Sequence, residues 1–212
     1  MKAWQEAGTV APQIQFVLGG ARSGKSAHAE MLAQQRPNQN QANENLANEN
    51  LANENLANEN LAGIGGRPRL VYIATAEIFD DEMAARIDLH QQRRGPEWSL
   101  VEAPVDLPQA IRDSDDEDTV ILVDCLSVWT TNLLIHEHDI DSAREALINI
   151  LANCQGRVLL VASETGLGIV PDNALSRRFR DANGMTNQAV AALADEVFFM
   201  MAGIAIRAKP PQ

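Results

Sequence analysis

Apolar residues in this chain fall in short unbroken runs separated by longer stretches of helical spacing. Residues 14–18, 70–74, 120–124, 158–162 and 197–201 read as buried strands. Runs this short, without polar alternation, are what a sheet covered on both faces requires. Residues 98–102 read as a short additional strand. Between them, residues 24–35, 80–92, 107–112, 142–154 and 175–194 carry helical patterns, the last with an expected interruption near Gly184. The residues after Met201 read as a short basic tail containing proline. Strands alternating with helices predict an α/β fold, a mostly parallel sheet with helices on both faces. In such sheets ligands bind at the carboxyl ends of the strands, so the loops after Leu18, Ala74, Asp124 and Ala162 are where chemistry is expected.

One segment breaks this alternation. Ala-Asn-Glu-Asn-Leu occurs four times in tandem over residues 42–61. A five-residue period matches neither helix nor strand, so its leucines cannot keep to one face. Residues 38–66 are therefore read as a low-complexity loop inserted into a single domain spanning residues 1–212. Such an insertion is cheap, because closure entropy grows only logarithmically with loop length.

The net charge of −12 remains acidic even without the repeat glutamates, which argues against a nucleic-acid partner. No apolar run is long enough to span a membrane, and the first residues do not read as a secretory signal. Cys125 and Cys154 lack metal-like spacing and fit a reducing, cytoplasmic setting.

The strongest local signal is Gly19-Gly20-Ala21-Arg22-Ser23-Gly24-Lys25-Ser26, which completes a Walker A motif between a strand and a helix. Glycines let successive amide N–H groups turn inward onto phosphate oxygens, and the new helix adds its positive end. Lys25 is placed to reach the β- and γ-phosphates, and the Ser26 hydroxyl suits Mg²⁺. Asp124 ends an apolar strand, the Walker B arrangement, and is a second Mg²⁺ candidate. Its competing role is to cap the helix that follows. These features make the fold a P-loop NTPase-type sheet.

Further blocks sharpen the picture. The stretch from Phe16 to Ser26 resembles the opening of the bifunctional adenosylcobinamide kinase / adenosylcobinamide-phosphate guanylyltransferase family of cobalamin biosynthesis. Tyr72-Ile73-Ala74-Thr75-Ala76, Asp80-Asp81-Glu82-Met83-Ala84-Ala85-Arg86-Ile87, Val123-Asp124-Cys125-Leu126 and Thr131-Asn132-Leu133-Leu134 continue the resemblance in order. So do Glu164-Thr165-Gly166-Leu167-Gly168-Ile169-Val170-Pro171, Arg178-Phe179-Arg180-Asp181 and Asn187-Gln188. The likeness covers nearly the whole chain outside the first dozen residues and the inserted tract.

The resemblance implies phosphorylation of adenosylcobinamide with ATP or GTP. It also implies transfer of GMP from GTP to adenosylcobinamide phosphate through a guanylyl-histidine. His90 occupies the position of the family's guanylylated histidine. Helical spacing puts Arg86 on its face, and Arg93 and Arg94 follow closely. Guanidinium groups suit phosphate oxygens and disfavour the imidazolium, leaving a nucleophilic neutral ring. Without the resemblance, His90 packing beside Met83 and Ile87 would be the simpler reading. The resemblance further implies nucleotide contacts at Ala74, Thr75 and Ala76, at Gln91, Gln92, Arg93 and Arg94, and at Glu102 and Asp124. Glu164 faces the same cleft in this reading, orienting a substrate hydroxyl, helping to bind metal, or serving as a plain loop acid. A homo-oligomer is implied, with a trimer as the expected form. The competing function is a simple P-loop small-molecule kinase, which needs no role for His90.

Overall fold

The computed structural model describes residues 13–35, 68–77 and 95–210. In chain order these form β1 (Ile14–Gly19), α1 (Lys25–Gln34), β2 (Arg69–Ala74), β3 (Trp98–Glu102), α2 (Leu107–Ser114) and β4 (Thr119–Asp124). There follow α3 (Leu126–Ile135), α4 (Ile140–Leu151), β5 (Arg157–Ser163), α5 (Ala174–Leu193), β6 (Glu196–Met201) and β7 (Ile204–Lys209). Among the described residues the strands make one seven-stranded sheet in the order β3-β2-β4-β5-β1-β6-β7. All neighbouring pairs are parallel except β6 with β7.

Alternation along each strand divides the core in two. Ile14 and Phe16 of β1, Val71 and Ile73 of β2, Ile121 and Val123 of β4, and Val158 and Leu160 of β5 face one side. There they meet Leu107 and Ile111 of α2, Leu126, Trp129 and Leu133 of α3, Leu147 and Leu151 of α4, and Val190 of α5. The intervening residues Val17, Tyr72, Leu122, Leu159 and Val161 face the other side, against Ala29, Leu32 and Ala33 of α1. Central strands buried on both faces account for the unbroken apolar runs. Helices do lie on both faces, as the pattern implies.

Register fixes the functional edge. Gly19 stands opposite Ser163 of β5 and Met200 of β6. Ala74 stands opposite both Glu102 and Asp124. The carboxyl ends of β1, β2, β3, β4 and β5 therefore share one edge of the sheet.

Several elements differ from the sequence expectation. A helix does follow Asp124, but the extent of α3 carries no mark in the pattern: Leu126, Ser127, Trp129, Thr130, Asn132, Leu133 and Leu134 are all buried, so no polar stripe outlines it. The residues read as a tail form β7, whose side chains are nearly all exposed and show no alternation. Helix α5 runs through Gly184 without a break, started by Asn173, whose side chain accepts from Ser176 N. Helix α4 starts earlier than expected because Asp139 caps it, accepting from Asp141 N and Ser142 N. The helix expected over 80–92 and the tract 38–66 lie outside the described residues.

Candidate active site at the carboxyl edge of the sheet

The loop of residues 19–26 is held from below and from its outer side. A Cβ on Gly19 would lie 2.5 Å from the Met200 carbonyl oxygen, a backbone atom that cannot swing away. Only glycine fits there. Ser23 N donates to Gly20 O at 3.3 Å, and Gly24 takes a left-handed φ of 96° as the loop enters α1. The hairpin turn between β6 and β7 touches the same loop, with Gly203 N donating to Ser23 O at 3.0 Å. That turn places Ala202 and Gly203 at φ 52° and 83°.

Lys25 bends back so that its ammonium donates to Gly20 O at 2.6 Å. Burial lowers its pKa from the ordinary lysine value, partly opposed by the neighbouring Cys125 and Asp124. The lysine thus stands across the edge from the end of β4. His28, one turn further along α1, packs edge-on against Phe198 with ring centroids 5.2 Å apart. Burial lowers its pKa, so it is a neutral packing residue, as its place on α1 implies.

Behind this loop the exits of β2 and β4 are tied together. Thr75 is fully buried; its hydroxyl donates to Cys125 O at 2.8 Å and accepts from Cys125 N at 2.9 Å. The Asp124–Cys125 peptide is cis. Asn132 of α3 donates to Thr75 O at 2.7 Å and to Pro104 O at 2.9 Å. Thr75 is therefore a framework residue whose side chain is already committed, while Ala74 and Ala76 on either side are half-buried.

Asp124 is half-buried, and Tyr72 donates its phenol to one carboxylate oxygen at 3.1 Å. It does not cap α3, whose N-cap is Cys125 with no side-chain hydrogen bond. Burial and the adjacent Asp124 push the Cys125 thiol up to about 12.

Among the described residues no three His, Cys, Asp or Glu side chains gather into a metal cage. Mg²⁺ at a phosphoryl-transfer site asks for little from the protein, one or two oxygens with phosphates and water completing its shell. Ser26 in the first turn of α1 and Asp124, one oxygen of which is steadied by Tyr72, are a donor set of that kind.

The exit of β5 completes the edge. Glu164 N donates to Gly19 O at 3.0 Å, and Glu164 Oε1 accepts from Gly166 N at 2.5 Å. The carboxylate thus closes its own turn. Ser163 N donates to Ser127 Oγ at 2.8 Å, and Ser163 O accepts from Asn183 at 2.9 Å and Asn187 at 3.2 Å. Sequence reasoning missed Ser127, Asn132, Asn183 and Asn187 as positioning residues. The available signal was Asn183 and Asn187 at i, i+4 spacing, one helical face given over to polar groups.

Glu102 is exposed on the outer strand β3, where it lines a cleft of about 480 Å³ with Arg69, Gln109 and Asp113. Four strand steps separate β3 from β1, or ~19 Å at the usual spacing. Asp124 lies two strand steps from the phosphate loop and Ala74 to Ala76 three, beside Asp124, while Glu102 stands at the far end of the same edge. His90, Gln91, Gln92, Arg93 and Arg94 lie outside the described residues. His136, past α3, contacts Glu77 at 3.0 Å and joins the end of that helix to the exit of β2. No helix among the described residues is long and apolar enough to cross a membrane.

Comparison with known proteins gives a consistent result. A family model described as cobinamide kinase / cobinamide phosphate guanyltransferase (CobU) matches residues 55–208. The bifunctional adenosylcobalamin biosynthesis protein CobU of Salmonella typhimurium is 36% identical over 209 residues, covering 92% of this chain and 98% of the relative. CobP of Pseudomonas aeruginosa, carrying the same description, is 38% identical over 191 residues, covering 89% and 93%. CobU of Escherichia coli is 35% identical over 209 residues, covering 92% and 98%. A solved KaiC-like protein, PH0186 of Pyrococcus horikoshii, overlays with a TM-score of 0.40 at 11% identity, over 88% of this chain and 70% of that one. That overlay is too loose to argue from.

Proposed function

The chain belongs to the cobinamide kinase / cobinamide phosphate guanyltransferase family, and from that premise we propose that it carries adenosylcobinamide through two transfers at the edge described above. It is a bifunctional enzyme of cobalamin biosynthesis. In the first transfer the acceptor's hydroxyl oxygen attacks the γ-phosphorus of ATP or GTP. The bond to the β-phosphate oxygen breaks, the nucleoside diphosphate leaves, and the hydroxyl proton is released. In the second, a neutral ring nitrogen of His90 attacks the α-phosphorus of GTP and pyrophosphate leaves. A phosphate oxygen of adenosylcobinamide phosphate then attacks the phosphoramidate, breaking the P–N bond and freeing His90. The product is adenosylcobinamide-GDP. Splitting the transfer this way replaces one difficult displacement with two easier ones.

The observation that carries the reading is the loop of residues 19–26, with Lys25 held between Gly20 O and the charge of Asp124. Backbone N–H groups of this loop and the start of α1 bind the phosphates, and Lys25 follows the charge that develops as the γ-phosphoryl departs. Ser26 and Asp124 would hold Mg²⁺, which screens phosphate charge when bound. Ala74 and Ala76 flank the nucleotide. Gln91, Gln92, Arg93 and Arg94 contact it beside His90, and Glu102 accepts from the guanine N1–H and N2–H₂ at the far end of the edge. The assembled form in this reading is a homo-oligomer, a trimer, checked by its mass in solution.

Product analysis tests the proposal. With adenosylcobinamide and ATP the expected product is adenosylcobinamide phosphate; with GTP added it is adenosylcobinamide-GDP, identified by mass. Arrest at the phosphate with GTP present would leave the simple kinase. No product in either case would remove the corrinoid as substrate.

A further inference from the structure

The segment joining β5 to α5 has its backbone tied at both ends and its apolar side chains left outside. At its start Glu164 N is bonded to Gly19 O at 3.0 Å, and Gly166 N to Glu164 Oε1 at 2.5 Å. Asn183 donates to Thr165 Oγ1 at 3.2 Å. At its end Arg177 Nη1 donates to Pro171 O at 2.9 Å and Asp172 O at 2.7 Å. Between these ties Leu167, Ile169 and Val170 are 83%, 97% and 58% exposed. Single exposed apolar residues are ordinary on a protein surface. Three within four positions, on a loop fixed at both ends, form a patch that asks for a partner.

Resting on the functional reading above, we propose that this loop seats the corrinoid acceptor. Leu167, Ile169 and Val170 form an apolar ledge for the hydrocarbon edge of the macrocycle while its hydroxyl arm reaches the γ-phosphate. The position of the loop selects this occupant. Its first residue is hydrogen-bonded to the first residue of the phosphate loop, so the ledge borders the site that phosphoryl leaves. A reacting hydroxyl has to come within ~3.5 Å of phosphorus. The body of the acceptor, far wider than a phosphate site, must then lie on a bordering surface. Lys25 interacts with Asp124 on β4, so the reacting side of the phosphate loop is the β4–β5 side, where the ledge stands. The exposed Met201 and Ile204 belong to the hairpin of β6 and β7, which supports the opposite side of the loop through Gly203.

The test uses the full chain carrying Leu167→Ser and Ile169→Ser together. Both side chains are largely in water, so the fold loses little contact. Initial rates are measured against adenosylcobinamide at saturating ATP, then against ATP, alongside covalent labelling by α-labelled GTP and the mass in solution. Expected is a rise of about tenfold or more in the KM for adenosylcobinamide, the size that burying apolar side chains of this kind supports. The KM for ATP, the labelling and the mass should stay as in wild type. An unchanged KM for adenosylcobinamide overturns the proposal; a change in mass with that KM unchanged assigns the patch to a contact between copies of the chain. Failure of the functional reading would show separately, as wild-type protein that does not turn over adenosylcobinamide.

Discussion

Two loops leave the same edge of the sheet from neighbouring strands, share a hydrogen bond between Glu164 N and Gly19 O, and solve opposite problems. The loop after β1 is built on three glycines, with Lys25 and Ser26 at its end. Its working surface is backbone, and the hairpin and Met200 hold that backbone in its curve. The loop after β5 consumes its backbone and polar groups internally, then presents Leu167 and Ile169 outward. Phosphate is read by N–H groups and fixed charge, which demand glycine and one lysine. A broad ligand with an apolar surface is read by apolar area, which demands side chains on a rigid frame.

Breaking the first loop at its charge should have the largest effect. Lys25→Ala is expected to lower kcat/KM for phosphorylation about a thousandfold. Thermal stability should hold, since burial of the ammonium already costs the fold something. Because the Lys25 pKa is depressed, the ammonium is lost at a lower pH than for a free lysine. Nucleotide affinity should therefore fall on the alkaline side before ordinary lysines titrate.

The hairpin support comes next. A Cβ on Gly203 would meet nothing within 4 Å, so any effect there comes from its φ of 83° and not from a clash. A β-branched residue in that conformation costs at least ~1–2 kcal/mol. Gly203→Val should raise the KM for ATP by about tenfold with kcat little changed, whereas Gly203→Asn, which tolerates a left-handed φ, should restore it. Equal KM values in both variants would separate the hairpin from the phosphate loop.

Ser127→Ala sharpens the comparison from the other side, because it removes the acceptor for Ser163 N at the root of the second loop. Leaving that half-buried donor without a partner costs about 1 kcal/mol, the low end for an unpaired donor, or a drop of a few degrees in Tm for a chain of this size. The KM for adenosylcobinamide should rise more than the KM for ATP.

The smallest effect belongs to the thiols. Burial pushes Cys125 and Cys154 from the ordinary 9.0 up to about 12. Folded values above unfolded ones stabilise the protein below pH 9, and that contribution is lost as pH rises toward 12. The loss is readable as a Tm that falls as the pH rises above 9. At neutral pH neither thiol should alkylate until the chain unfolds.

Much of this architecture was legible because buried parallel strands write themselves as unbroken apolar runs and the phosphate loop as a motif with fixed spacing. What escaped was structure whose pattern is not periodic. Helix α3 buries Thr130 and Asn132 along with its leucines, and Asn132 works on two backbone carbonyls far away in sequence. Strand β7 is exposed on both faces, so nothing in its hydrophobicity marks a strand. The hydroxyl of Thr75 bonds the backbone of Cys125, fifty residues away, and that tie was not legible either. Long-range hydrogen bonds of this kind leave no trace in local spacing.

Whether one chain performs both transfers depends on His90. The direct measurement is incubation with GTP labelled at the α-phosphate, in wild type and in His90→Ala, followed by addition of adenosylcobinamide phosphate. An acid-labile, alkali-stable label is expected on the wild-type protein, absent from His90→Ala and discharged onto the added acceptor. GTP bound without covalent label, or a label that persists in His90→Ala, would contradict it.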